Sequence, residues 1–92
     1  MKLKGKRALI VGGSGAIGSA ITIALAKEGA DVCVHYRTSS KSADNNAAKC
    51  KEFGVNAYTV QADVSNTDDI ERMIAEAVEK MGGIDIIVNC FC

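Results

Sequence analysis

Gly12-Gly13-Ser14-Gly15-Ala16-Ile17-Gly18 follows directly on the apolar run Arg7-Ala8-Leu9-Ile10-Val11 and opens a segment whose apolar residues recur at helical spacing. Gly13 to Gly18 fit G-x-G-x-x-G, a pattern that carries weight only when it links a buried strand to an amphipathic helix, as it does here. A helix N-terminus offers backbone N–H groups without intrahelical partners and a partial positive charge, a combination that attracts phosphate. Glycines let phosphate oxygens approach the backbone, and Gly18 is expected to let the helix pack against the sheet. The stretch therefore reads as a turn for the pyrophosphate of a dinucleotide, with Gly12, Ser14, Gly15, Ala16, Ile17 and Gly18 at the ligand. No Gly-Lys-Ser/Thr follows, so it is not a Walker loop.

Outward from this turn the chain alternates strand and helix. Arg7 to Val11 is a continuous apolar run, as in a strand buried on both faces. Ile17, Ala20, Ile21, Ala24 and Leu25 predict the buried face of a first helix, ended at Gly29 by a left-handed cap. Val32 to Tyr36 is a second strand, with His35 an ordinary member of it. Lys41 to Phe53 is a weaker helix facing the sheet through Ala43, Ala47, Cys50 and Phe53, with Asn45 and Asn46 against it on propensity. Val55 to Val60 is a third strand. Thr67 to Met81 is a third helix with the stripe Ile70, Met73, Ile74, Ala77, Val78 and Met81. Ser65 or Asn66 caps it, and Asp68, Asp69 and Glu71 suit its dipole. Ile84 to Asn89 is a fourth strand. Alternating units of this kind give an α/β, three-layer α/β/α Rossmann-type parallel sheet. With right-handed crossovers the expected strand order is 3-2-1-4, with three helices. A complete doubly wound fold has two such halves, so residues 1–92 are expected to be the N-terminal half of one NAD(P)-binding domain, an incomplete sheet.

Composition removes several classes. The formal net charge is zero, with 11 basic and 11 acidic residues interspersed, so no nucleic-acid partner is expected. An apolar content of 48% fits a globular chain. The four cysteines show no Cys-x-x-Cys spacing and the single histidine lies far from Cys90 and Cys92, so no metal site is expected. The basic Lys2, Lys4, Lys6 and Arg7 precede an apolar run stopped by Gly12 and Gly13, too short for a signal peptide or membrane span. A cytoplasmic location with reduced thiols is expected.

The end of the second strand selects the dinucleotide. NAD needs an acid there for the ribose 2′-hydroxyl, whereas an arginine accommodates the 2′-phosphate of NADP. This chain has Tyr36-Arg37-Thr38-Ser39 and no acid. Arg37 can pair bidentately with a phosphate and the hydroxyls can add hydrogen bonds, which points to NADP in preference to NAD.

Val11-Gly12-Gly13-Ser14-Gly15-Ala16-Ile17-Gly18, Ala62-Asp63-Val64-Ser65 and Gly83-Ile84-Asp85-Ile86-Ile87-Val88-Asn89 together resemble the N-terminal part of the short-chain dehydrogenase/reductase family. The Tyr36-Arg37-Thr38-Ser39 stretch leans toward its 3-oxoacyl-carrier-protein reductase branch. The resemblance implies that Asp63 bonds the adenine amino group, that Val64 lines the adenine pocket, and that Asn89 opens an Asn-Asn-Ala-Gly motif beside the ribose. This chain departs from the pattern with Val11 for Thr, Ala16 for the middle glycine, and Cys90-Phe91-Cys92 after Asn89.

The family's catalytic Ser and Tyr-x-x-x-Lys are not in these 92 residues, and neither Tyr36 nor Tyr58 has Lys four positions on. No catalytic residue is assigned. The expected function is the cofactor-binding portion of an NADP(H)-dependent short-chain oxidoreductase whose complete form moves hydride between carbonyl and alcohol. The alternatives are a non-catalytic NADP(H)-binding or regulatory module, and a scaffold or interaction protein. In the last, Ile84, Ile86, Ile87 and Val88 lie at an open edge and support homo-oligomers or aggregation.

Overall fold

The computed structural model describes residues 2–90. Continuous apolar sequence at Arg7–Val11 forms β1, whose Ala8, Leu9 and Ile10 have no solvent exposure. The order continues α1 Ala16–Lys27, β2 Asp31–Tyr36, α2 Ser40–Lys51, β3 Ala57–Gln61, α3 Thr67–Met81 and β4 Ile86–Asn89. All three strand pairings are parallel and the sheet order is β3-β2-β1-β4, the expected 3-2-1-4. The pairing runs Ala8 against Val32 and Ile86, and Val11 against Asn89. Every strand therefore ends on the same edge as the glycine turn.

Alternate residues of each strand point to opposite layers. Ala8, Ile10 and Val32 pack with Ala26, Ala47 and Cys50 of α1 and α2. Leu9 and Cys33 pack with Val60, Met73 and Ala77 on the α3 side. Full burial of side chains such as Leu9, Ile10 and Val32 stabilises the fold by about 1.5–3 kcal/mol each. Burial also pushes the Cys33 thiol up to about 11, so this sulfur is a packing group and not a nucleophile. Cys33, Cys50 and Cys90 are free thiols.

Several boundaries and faces differ from the sequence expectation. The buried stripe of α1 is Gly18, Thr22 and Ala26, while Ile17 is 74% exposed. The helix is apolar on nearly every side, so its periodicity does not select a face. The small residues do, because they allow the closest approach, and the Thr22 hydroxyl is satisfied by donating to the Gly18 carbonyl at 2.7 Å. On α3 only Met73 and Ala77 of the expected stripe are fully buried, with Ile70 and Met81 packed at the margin and Ile74 and Val78 exposed. Ile87, which lines a groove with Ile74, is also exposed, because β4 is an edge strand that among the described residues pairs with β1 alone. β3 starts at Ala57 rather than Val55. β4 starts at Ile86 rather than Ile84. The preceding Asp85 is instead a clamp: its carboxylate accepts from Arg7 N–H at 2.9 Å and Arg7 Nε at 3.1 Å, and its own N–H donates to the Arg7 carbonyl. The Arg7 guanidinium holds the Asp85 carboxyl below the usual range.

Candidate functional site

The candidate site lies where β1 gives way to α1. Gly12 has φ 76°, the left-handed region that favours glycine. Gly13 could not carry a side chain, since a Cβ there would lie 2.9 Å from the Ile10 carbonyl oxygen and 3.1 Å from Val34. A Cβ on Gly18 would collide with the Gly12 carbonyl and lie 2.7 Å from Gly13 Cα. The missing side chain at Gly18 therefore lets the helix approach the turn closely. Gly15 is different. Its φ is −74°, and the nearest atom to a Cβ would be the Gly12 oxygen at an ordinary 3.6 Å. Nothing inside the protein requires glycine there, so the space above it is a cradle that a side chain would narrow. Gly15 is also the N-cap of α1, and the first turn of that helix holds no acid. The first main-chain bond of the helix is Ser19 N–H to the Gly15 carbonyl. The amides of Ala16, Ile17 and Gly18 precede it and lie at the positive end of the dipole. This end fits a pyrophosphate.

The turn is braced from both layers. Gly12 N–H donates to His35 Nδ1 at 2.9 Å, and His35 Nε2 is 2.9 Å from the Ala62 carbonyl. A backbone N–H only donates, so Nδ1 is the acceptor and Nε2 carries the proton. From the other layer, buried Asn46 donates through Nδ2 to the Gly13 carbonyl at 3.1 Å, and Ser19 Oγ donates to the same oxygen at 3.4 Å. Asn46 Oδ1 is buried with no hydrogen-bond partner among the described residues. Neither residue stood out in the sequence as part of a site. Asn46 carried a signal: it shares the sheet-facing side of α2 with Ala43, Ala47 and Cys50, and a polar side chain on a buried face requires a partner.

A cleft of about 280 Å³ joins the turn to the end of β2. It brings Gly12, Ser14 and Gly15 together with Tyr36, Arg37, Thr38 and Ser39. Arg37 is exposed, and its backbone is held by Gln61 Nε2 donating to the Arg37 carbonyl at 3.1 Å. Ser39 Oγ donates to Ser42 Oγ at 3.1 Å. Asp63 follows β3 and accepts from Ser65 N–H at 3.0 Å and Ser65 Oγ at 2.6 Å. These bonds hold its carboxyl below the usual carboxylate range, so it is an ionised acceptor. Val64 and Asn89 do not line this cleft. They line a separate apolar groove of about 370 Å³ with Leu9, Ile70 and Ile87, between α3 and β4. The Phe91-Cys92 departure lies outside the described residues. Among the described residues no cluster of His, Cys, Asp and Glu could hold a metal, and no helix is long and apolar enough to cross a membrane.

Residues 6–91 match the short chain dehydrogenase family. The chain is 38% identical over 84 residues to a 3-oxoacyl-[acyl-carrier-protein] reductase FabG of Staphylococcus aureus, a match covering 91% of this chain and 34% of the reductase. It is 39% identical over 89 residues to the short-chain dehydrogenase/reductase homolog YusS of Bacillus subtilis, covering 97% of this chain and 82% of that protein. Among solved structures, a dehydrogenase from Burkholderia cenocepacia with bound NADP superposes with TM-score 0.91 at 34% identity, covering 96% of this chain and 34% of that one. An NADH-dependent reductase complexed with NAD superposes with TM-score 0.87, also at 34% identity, covering 95% and 36%. This chain thus belongs to the short-chain dehydrogenase/reductase family of oxidoreductases and carries its Rossmann-type arrangement. It spans about a third of the length of the reductases it matches.

Proposed function

We propose that residues 1–92 form the N-terminal half of a dinucleotide-binding domain that takes NADP(H) in preference to NAD(H). The complete oxidoreductase would use the bound nicotinamide to move hydride between a carbonyl and an alcohol. In this reading the pyrophosphate sits on the open end of α1, over Gly15 and the amides of Ala16 to Gly18. Arg37, with Thr38 and Ser39, takes the 2′-phosphate, and Asp63 accepts from the adenine amino group. Val64 borders the adenine and Asn89 the ribose side. Ser14, Gly12 and Tyr36 shape the cleft. The carrying observation is the cleft itself, which runs from a helix end without acid or side-chain cap to Arg37, at a strand end whose residues 36–39 include no acid. The relatives carry either dinucleotide, so the preference rests on Arg37. Buried, free thiols suit a cytoplasmic setting.

Titration of the purified chain with NADPH and NADH tests this. NADPH is expected to bind more tightly. Arg37→Ala is expected to weaken NADPH by about 10- to 100-fold, the loss of a charge-assisted pair, while leaving NADH unchanged. Equal weakening of both, or no binding of either at millimolar concentration, overturns the reading.

A second reading, a module that binds the dinucleotide without chemistry, is favoured by one observation: YusS is a relative of which this chain covers 82%. It predicts NADPH binding with no turnover of any carbonyl by the natural full-length product. Measurable turnover by that product removes it.

A further inference from the structure

Three hydrogen bonds run in series across the carboxyl edge of the sheet. His35 Nε2–H donates to the Ala62 carbonyl at the end of β3, Gly12 N–H donates to His35 Nδ1, and Gly15 N–H donates to the Gly12 carbonyl at 3.3 Å. The series starts one residue before Asp63 and ends on the N-cap of α1. Its middle member is a fully buried imidazole on the α3 side of β2. Both polar groups of Gly12 are committed. Its amide is fixed by His35, and its carbonyl holds Gly15 and is the atom over which Gly18 packs.

We infer that His35 is a positioning residue for the dinucleotide site, whose neutral Nε2–H form sets the orientation of the Gly12 peptide and through it the phosphate-binding end of α1. The inference rests on the proposed dinucleotide site. A side chain with no acceptor at the Nδ1 position leaves Gly12 N–H without this partner, so the turn loses its tie to β2.

The test compares NADPH dissociation constants of the wild type, His35→Asn and His35→Leu. Asn offers an oxygen near the Nδ1 position that accepts from Gly12. Leu offers no acceptor. The Leu variant is expected to bind about tenfold more weakly than wild type, and the Asn variant within about threefold. Full-strength binding by the Leu variant overturns the inference, as does an Asn variant that loses about tenfold like Leu. Should Leu fail to fold, the wild-type and Asn comparison decides. If no protein binds either dinucleotide, the proposed function fails on its own. The His35 link is then read in the free protein from hydrogen exchange at the Gly12 amide, which must be protected in wild type and in His35→Asn. An unprotected wild-type amide overturns the link.

Discussion

Helices α1 and α3 both start at the carboxyl edge of the sheet, and their first turns are built in opposite ways. At α3 the chain satisfies its own helix end. Asn66 Oδ1 accepts from Asp69 N–H at 3.1 Å, Asp68 and Asp69 face the dipole, and Asp69 accepts from Asp63 N–H at 2.6 Å and Arg72 Nε at 2.8 Å. At α1 the N-cap is Gly15, with no side-chain oxygen, no acid in the turn, and a cleft in front. A capped end is worth about 1 kcal/mol of stability. The fold forgoes that at α1 while placing Gly12, Gly13 and Gly18, the side chains of His35, Asn46 and Ser19, and a left-handed φ at Gly12 around the same turn. The open end is thus held rigid by its surroundings while its amides stay available to an anion.

Substitutions can erase this contrast. Gly18→Val drives a side chain into the Gly12 carbonyl, so it should destabilise the chain by about 3 kcal/mol and abolish NADPH binding, read by thermal melting and titration. Gly15→Asp should convert the α1 end into an α3-like one. Its space and φ accept a side chain, so stability should rise by about 0.5 kcal/mol. NADPH affinity should still fall by about 30-fold or more, because a carboxylate then faces the pyrophosphate. A variant that loses stability and affinity together would show that Gly15 is structural. Asn66→Ala should cost about 1 kcal/mol with NADPH affinity unchanged, separating the capped end from the binding end.

Of the two helix starts, acid should act on that of α3. Hydrogen bonds from Arg72 and from the Asp63 amide hold the Asp69 carboxyl below its ordinary value, and Ser65 does the same for Asp63. A depressed folded-state value stabilises the fold above the unfolded value of about 3.9, and that contribution is lost as pH falls through the depressed one. Protection of the first-turn amides of α3 against hydrogen exchange should decline below about pH 4, with Asp69→Asn removing the dependence. A parallel decline at the first turn of α1 would show that the whole edge opens together.

Much of this architecture was legible in the chain. Strand runs, terminating glycines and the Gly13 to Gly18 spacing predicted the element order, the parallel sheet and the location of the turn. β1 and α3 begin and end where the pattern placed them. The faces were harder to read. The apolar content of α1 is spread around its circumference, so Ile17 looked buried while Gly18 and Thr22 hold the contact. The stripe on α3 included Ile74 and Val78, whose exposure depends on what lies beyond an edge strand and not on helical periodicity. His35 looked like a strand residue and Asn46 like a helix weakness, because hydrogen bonds across 23 and 33 residues leave no mark on local spacing.

The sequence by itself determined that a glycine turn joins β1 to α1 and that no acid adjoins Arg37 in the chain, since turn geometry, capping and residue type are local properties. Tertiary structure alone decided which glycine serves which purpose, because that depends on what a Cβ would meet. It also decided that an imidazole and an amide reaching in from β2 and α2 hold the turn in place. Bonds between distant residues become visible only when the parallel sheet brings all the strand ends to one edge.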